Sequence, residues 1–169
     1  MKGFFILWVL FLLVSCEIST VPLNNNPDDR QQRQEDDGGL TVRINQEEKR
    51  VFDLINNYRK NNGRPPLKWI NQAVIEAQIH SENMAITNSV NHIGLSLRIN
   101  NIVVEENIVV RASGENAGMN KDANAMVRAW INSFGHRRNL LGDYTHTGIG
   151  QAGSGSKKYY TQIFLKVIE

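Results

Sequence analysis

The chain has 169 residues, of which 41% are hydrophobic and 21% are charged, and its formal net charge is +2 at pH 7. This length allows one domain with a substantial core and excludes two ordinary domains, and the composition is that of a soluble globular protein. The only cysteine is Cys16, which excludes an intramolecular disulfide, so the folded part must be stable without one.

The first sixteen residues predict export. Lys2 precedes an unbroken apolar run from residue 4 to residue 14, which is shorter than the ~20 residues that span a bilayer and is typical of a signal peptide. The run ends in Leu13-Val14-Ser15-Cys16, which resembles the lipobox of bacterial lipoproteins, where the cysteine is lipidated. We therefore expect residues 1–16 to be a lipoprotein signal peptide ending at Cys16. Lipid chains on Cys16 would hold the protein at a membrane of the bacterial cell envelope, facing the periplasm or the cell surface.

Residues 17–39 differ in composition from the rest of the chain. They carry six acidic and two basic side chains and few apolar ones, which predicts a disordered acidic tether. Residues 40–169 carry eleven acidic and sixteen basic side chains, a net charge of +5, and are predicted to form the folded domain. A mildly basic domain suits anionic surfaces such as lipid headgroups or cell-wall polymers. We predict no nucleic-acid partner.

Two helices are predicted in the first half of the domain. Asn45 and Glu48 form a capping-box pattern ahead of an apolar stripe, and Asn62-Gly63 ends this first helix. The apolar stripe of the first helix consists of Val51, Leu54, Ile55 and Tyr58. A second helix is predicted to begin at Asn71, with His80 on its apolar face, so we interpret His80 as a core histidine and not as a ligand.

The second half of the domain is predicted to contain strands and a third helix. Residues 87–116 are expected to be irregular, with strand-like pieces at 102–104 and 108–110. Asp122 is the predicted N-cap of the third helix, which Phe134-Gly135 ends, and residues 139–141 add a short turn. Two strands at 147–152 and 159–167, joined by Gly153-Ser154-Gly155-Ser156, form a terminal hairpin. Residues 148–153 match the dinucleotide-binding pattern GxGxxG, but that site requires a helix after the glycines, and we reject it.

A carboxylate and two histidines stand beside glycines and form the candidate site. Glu115 lies in Gly114-Glu115-Asn116, His92 precedes Ile93-Gly94, and His136 follows Gly135. Such a set can coordinate a metal ion, transfer a proton or shape a cavity. Glu115 either accepts several backbone N–H bonds as a fold determinant or faces a ligand. Both histidines are expected in loops, oriented for function.

Eight short motifs follow one another in the folded part: Asn56-Asn57-Tyr58-Arg59, Pro66-Leu67-Lys68-Trp69, His80-Ser81 with Met84-Ala85, His92, Gly114-Glu115-Asn116, Trp130, Gly135 through Leu141, and Gly148-Ile149-Gly150. Their order resembles the CAP superfamily (cysteine-rich secretory proteins, antigen 5, plant pathogenesis-related 1), in its bacterial, cysteine-poor branch. The resemblance covers residues 46–168 and implies an α+β fold, an α-β-α sandwich with a small antiparallel sheet between helical layers. It also implies a cleft lined by two histidines and two glutamates. His92, Glu115 and His136 match three of these, and Ser133 stands at the position of the second glutamate.

The chemistry of this cleft stays open at the level of sequence. Two imidazoles suit zinc, so His92 and His136 are candidate ligands for weak, pH-dependent zinc binding rather than for a tight structural site. A nucleophilic triad uses the same residue types as Ser133, His136 and Glu115. However, the sequence contains no nucleophile elbow. Ser133 is more simply interpreted as the C-terminus of a helix, where its hydroxyl bonds a backbone group. We favour a binding module for a lipid, glycan or peptide. The alternatives are a metal-assisted or Ser/His hydrolase acting on envelope polymers or peptides, and a cleft with only a structural role.

Overall fold

The computed structural model describes residues 43–168. The predicted signal peptide with Cys16, the predicted tether (17–39) and the first residues of the predicted domain (40–42) lie outside the described residues. The described part contains five helices and four strands. In chain order these are α1 (Gln46–Asn61), β1 (Lys68–Trp69), α2 (Asn71–Thr87), α3 (Leu95–Glu105), β2 (Val109–Asn120), α4 (Ala123–Asn132), α5 (Phe134–Leu140), β3 (His146–Ser154) and β4 (Lys157–Ile168).

The predicted starts of α1 and α2 are confirmed. The amide N–H of Glu48 donates to Asn45 Oδ1 at 2.9 Å, and the amide N–H of Asn45 donates to Glu48 Oε2 at 2.8 Å, which completes the capping box. Asn62 is the C-cap of α1, and α2 begins at Asn71. The side chain of Asp122 caps α4 by accepting from the amide of Ala125, as its position before the apolar stripe predicted.

The sheet has the strand order β1-β3-β4-β2. Strand β4 is central and pairs antiparallel with both β3 and β2, which confirms the predicted terminal hairpin and the antiparallel sheet for the three long strands. The two-residue strand β1 differs, because it pairs with β3 in parallel. The connection from β1 to β3 contains α2, α3, β2, α4 and α5, and a parallel pair requires a long connection of this kind.

Helices cover both faces of the sheet. Alternate residues of β4 point to opposite faces. Tyr160 and Phe164 pack into a core cluster with residues of α1 and α4, whereas Ile163 and Leu165 pack with residues of α2 and α3. The predicted α-β-α sandwich is therefore confirmed, and β4 is buried on both faces.

Two glycines explain the Gly-Ile-Gly sequence of β3. A Cβ atom at Gly148 would overlap the backbone of Ala73, and one at Gly150 would overlap the backbone of Gln78. Helix α2 thus packs directly on the backbone of β3, closer than any side chain would permit. These glycines serve helix packing, and a hairpin follows them, in agreement with the rejection of a dinucleotide site.

The prediction for residues 87–116 is wrong in two respects. Residues 102–104 belong to helix α3 and not to a strand. The buried stripe of α3 contains Arg98 and Ile102, and this charged residue interrupts the apolar pattern from which a helix is inferred. Strand β2 runs as far as Asn120, so Glu115 lies within a strand, although Gly114 and Asn116 beside it have low strand propensity.

The break between α4 and α5 lies at Ser133 rather than at Phe134-Gly135. Ser133 adopts an extended conformation, with φ −86° and ψ 124°, and both helices meet at this residue. Phe134 and Gly135 are the first residues of α5, so His136 lies in a short helix and not in a loop. Within residues 43–168, no helix has the length and apolarity needed to cross a membrane.

Candidate functional site

Glu115 lies at the centre of the candidate site. Its side chain is fully buried, and both carboxylate oxygens are hydrogen-bonded. Oε2 accepts from Arg98 Nη2 at 2.6 Å and from Arg98 Nε at 3.1 Å, while Oε1 lies 2.7 Å from His92 Nδ1. Of the two alternatives for Glu115, acceptance of backbone N–H bonds is not observed among the described residues: the partners of its carboxylate are the side chains of Arg98 and His92. The paired donors of Arg98 stabilise the ionised carboxylate.

His92 is oriented by this carboxylate. It lies in the segment between α2 and α3, and its side chain is 52% exposed. Because Glu115 is an ionised acceptor, the 2.7 Å contact assigns a proton to His92 Nδ1. In the neutral ring, Nε2 is then the unprotonated nitrogen and is available to accept a hydrogen bond or to bind a cation.

His136 lies on α5, far from His92 in sequence, and is close enough to be affected by its charge. Its ring lies 6.5 Å from the ring of the buried Trp130, centroid to centroid. Burial lowers the pKa of His136 below its ordinary value, and the nearby positive charge of a protonated His92 lowers it further. The structure therefore brings His92 and His136 near each other and favours the neutral form of His136.

His80 forms the inner edge of the same network. The prediction that it is buried is confirmed, since it is 4% exposed and its Nε2 lies 2.8 Å from the backbone oxygen of Asn91. The same nitrogen is 3.9 Å from Glu115 Oε1. Burial lowers the pKa of His80, with smaller contributions from Arg98 and His92, while the Asn91 carbonyl and Glu115 oppose the shift. His80 thus holds the segment before His92 in place.

Asn116 connects the strand of Glu115 to the helix of His136. It is completely buried, its Nδ2 donates to the backbone oxygen of His136 at 3.2 Å, and its Oδ1 accepts from Asn139 Nδ2 at 2.9 Å. Asn139 Nδ2 also donates to the backbone oxygen of Glu115 at 3.1 Å. These bonds fix α5 against β2 and hence the position of His136.

Ser133 is not joined to this network. Within residues 43–168 no hydrogen bond links its hydroxyl to His136 or to a backbone group, so the expectation that it caps a helix end with its side chain is wrong. The carboxylate of Glu115 orients His92 rather than His136. The arrangement serine–histidine–carboxylate that nucleophilic catalysis needs is therefore not assembled around Ser133.

The described residues do not fit a catalytic zinc centre. Such a centre normally has three protein ligands, and no group of three or more His, Cys, Asp or Glu side chains in residues 43–168 is placed to hold a metal ion. Glu115 is occupied at both oxygens by Arg98 and His92. At most the two imidazoles of His92 and His136 remain as ligands.

Arg98 is the functional-site residue that sequence reasoning missed. It is 7% exposed, and besides its two bonds to Glu115 it donates from Nη1 to the backbone oxygen of Ile93 at 2.8 Å. One signal was present in the sequence: Arg98 occupies a core position in the spacing of Leu95, Ile99 and Ile102. A charge at such a position requires an opposite charge nearby.

Comparison with known proteins agrees with this fold and motif order. Residues 52–164 match the CAP family, described as the cysteine-rich secretory protein family. The chain therefore belongs to the CAP family. It is 37% identical over 122 residues to the uncharacterized membrane protein YlbC of Bacillus subtilis (strain 168), an alignment that covers 70% of this chain and 34% of that protein.

Solved structures show the same domain. An extracellular protein containing a SCP domain from Bacillus anthracis str. Ames is 31% identical with a TM-score of 0.60, over 71% of this chain and 40% of that chain. An outer surface protein of Borrelia burgdorferi has a TM-score of 0.65 at 16% identity, over 77% of this chain and 99% of that chain, a likeness of fold alone. This chain thus spans less than half the length of its Bacillus relatives.

Proposed function

We propose that this protein is an exported, lipid-anchored binding module of the cell envelope. Its binding cleft lies at His92 and His136, with the buried side chains of Glu115 and Asn116 beneath them and Ser133 beside them. Its ligand is a lipid, a glycan or a peptide. The observation that carries this proposal is the orientation of His92: a buried carboxylate holds one ring nitrogen, and the other nitrogen is left to meet a ligand.

The surroundings of the cleft support binding over bond cleavage. The Ser133 hydroxyl has no base hydrogen-bonded to it among the described residues, and no third metal ligand joins the two histidines. Ile93 and Phe134 flank the two histidines in sequence and are 80% and 73% exposed. Exposed apolar side chains beside polar groups are typical of surfaces that contact a partner.

Export and anchoring rest on the sequence and on the relatives. The apolar run ending at Cys16 has the pattern of a lipoprotein signal. One relative is named as a membrane protein and one is described as extracellular. Expression of the full gene with Cys16→Ser tests the anchor. We expect the wild-type protein in the membrane fraction and the variant in the soluble exported fraction; a variant that partitions with membranes as the wild type does would refute lipid anchoring.

A calorimetric titration tests the cleft. Soluble glycan fragments of the envelope, short-chain phospholipids and peptides are titrated into the wild type and into a His92→Ala/His136→Ala variant. We expect saturable binding of one class, at least tenfold weaker in the variant, with the ligand recovered intact by mass spectrometry. Equal binding by both proteins would contradict the assignment of the cleft.

The alternative, a hydrolase of envelope polymers or peptides, has one observation in its favour. The Glu115–His92 pair has the geometry of a carboxylate-oriented general base. Cleaved ligand in the same titration, with cleavage lost in the double variant, would establish this alternative. Loss of cleavage in Ser133→Ala would assign the nucleophile, whereas full activity there would indicate an activated water.

A further inference from the structure

A cavity lies between helices α2 and α3, and Asn91 and Ile93 on either side of His92 also line it. Its volume is about 460 Å³, within the range of small-ligand sites. Three large apolar side chains at this cavity are exposed to solvent: Ile79 (47%), Ile93 (80%) and Leu97 (65%). Its polar lining includes Glu76 and Asn101.

Glu76 is a buried carboxylate without a cationic partner. It is 7% exposed, and its Oε1 accepts from Asn101 Nδ2 at 2.9 Å and from Gln72 Nε2 at 3.5 Å. Its Oε2 has no hydrogen bond within residues 43–168, and no Lys, Arg or His there forms an ion pair with it. Oε2 is not among the buried atoms of residues 43–168 that lack a partner, so it is open to the cavity, where it can accept a hydrogen bond from a ligand.

The other charged groups of the cavity do not neutralise Glu76. Arg98 also lines the cavity, but its guanidinium is paired with Glu115 through two hydrogen bonds. The Nε2 atom of His80 contacts the Asn91 carbonyl, and burial lowers the pKa of its ring, which favours the neutral form. With these groups paired or neutral, the cavity has one uncompensated negative charge.

We propose that this cavity binds a ligand with a primary ammonium group on an alkyl body. The ammonium would donate to Glu76 Oε2, and the alkyl part would cover Ile79, Ile93 and Leu97. A carboxylate ligand would add a second negative charge beside Glu76, and a neutral one would leave the first charge unpaired, so the site discriminates by charge. The same chemistry occurs in soluble amines and in the headgroups of aminophospholipids.

Calorimetric titration of octylammonium chloride, below its micelle concentration, into the full-length protein tests this site. We expect saturable binding to the wild type and at least tenfold weaker binding to Glu76→Gln, which keeps an acceptor for Asn101 but removes the charge. The matched control is Glu82→Gln, which changes an exposed residue on the same helix. This variant should bind octylammonium as the wild type does. The exposed Leu97→Ser variant should bind several-fold more weakly.

Two comparisons need no variant and therefore do not depend on its folding. On the wild type, 1-octanol and octanoate should each bind at least tenfold more weakly than octylammonium. Equal binding of octanol, equal binding by Glu76→Gln, or absence of octylammonium binding would overturn the proposal. The His136→Ala variant changes a cleft residue that does not line this cavity, so it should bind octylammonium as the wild type does, and the two sites are tested separately.

Vesicles distinguish the two sources of the ammonium group. Phosphatidylcholine vesicles with and without phosphatidylethanolamine are sedimented with the wild type and with Glu76→Gln. Phosphatidylethanolamine-dependent sedimentation that requires Glu76 assigns a lipid headgroup. Octylammonium binding without such sedimentation assigns a soluble amine.

Discussion

Replacing Arg98 by methionine should destabilise the protein strongly, because it leaves Glu115 as a buried carboxylate without a cation. The variant loses the hydrogen bonds of 2.6 and 3.1 Å to Oε2 and the bond from Nη1 to the Ile93 carbonyl. The Glu115 side chain is fully buried and that of Arg98 is 9% exposed, so water from the adjoining cavity replaces the lost partner only in part. Removal of one member of such a pair costs about 3–5 kcal/mol.

Urea unfolding at pH 7, followed by tryptophan fluorescence, measures this cost. The Glu115→Gln change made together with Arg98→Met removes both charges, and we expect this double variant to be about 1–3 kcal/mol more stable than Arg98→Met alone. The denaturant slope should stay constant, which shows that the two-state comparison holds. A loss below about 1 kcal/mol in Arg98→Met, or independent effects of the two changes, would refute the reasoning that this pair supports the site.

Three further predictions concern pH, packing and zinc. Burial lowers the pKa of His80 in the folded protein below its ordinary value of 6.5. As the pH drops below 6.5, His80 therefore becomes protonated in the unfolded chain before it does so in the folded protein, and the free energy of unfolding should fall. The fall should be smaller in His80→Gln in pH-dependent urea unfolding, and equal curves would contradict it. Gly148→Ala should lower the free energy of unfolding by about 2–3 kcal/mol because its Cβ overlaps the α2 backbone, whereas Gly135→Ala, where a Cβ has nothing within 4 Å, should be nearly neutral in the same assay. In a calorimetric titration, zinc should bind the wild type with micromolar or weaker affinity, and this affinity should fall as the histidines become protonated. Zinc should not bind the His92→Ala/His136→Ala variant, and nanomolar affinity for the wild type would contradict a site with two imidazole ligands.

Local signals in the sequence predicted those elements whose patterns were uninterrupted. The capping box at Asn45 and the N-cap at Asp122 gave the starts of α1 and α4 because each places a side-chain acceptor at the free amides of a helix. Helix α3 and the full length of β2 were missed. In α3, the buried Arg98 interrupts the apolar stripe. In β2, the residues around Glu115 serve the site and close packing and have low strand propensity, so the sequence does not indicate a strand there.

The sequence indicated which residues lie in the candidate site better than it indicated the hydrogen bonds between them. Glycine-rich motifs and the family resemblance identified Glu115, His92 and His136 as neighbours. The donors to Glu115 were not predicted, since Arg98 approaches from a helix whose position depends on the tertiary packing of α3 against α2 and β2. The pairing of Glu115 with His92 rather than His136 is likewise a property of the folded chain, which sequence spacing does not encode.

The most direct test of the proposed binding cleft is the ¹⁵N NMR spectrum of the histidine rings during ligand titration. In the free protein, the neutral ring of His92 should carry its proton on Nδ1, with Nε2 unprotonated. On addition of glycan fragments, phospholipids or peptides, one class should shift the ring signals of both His92 and His136 to saturation and be recovered unchanged. Ring signals that no class shifts, or a ligand recovered in cleaved form, would contradict the account of this face as a binding site.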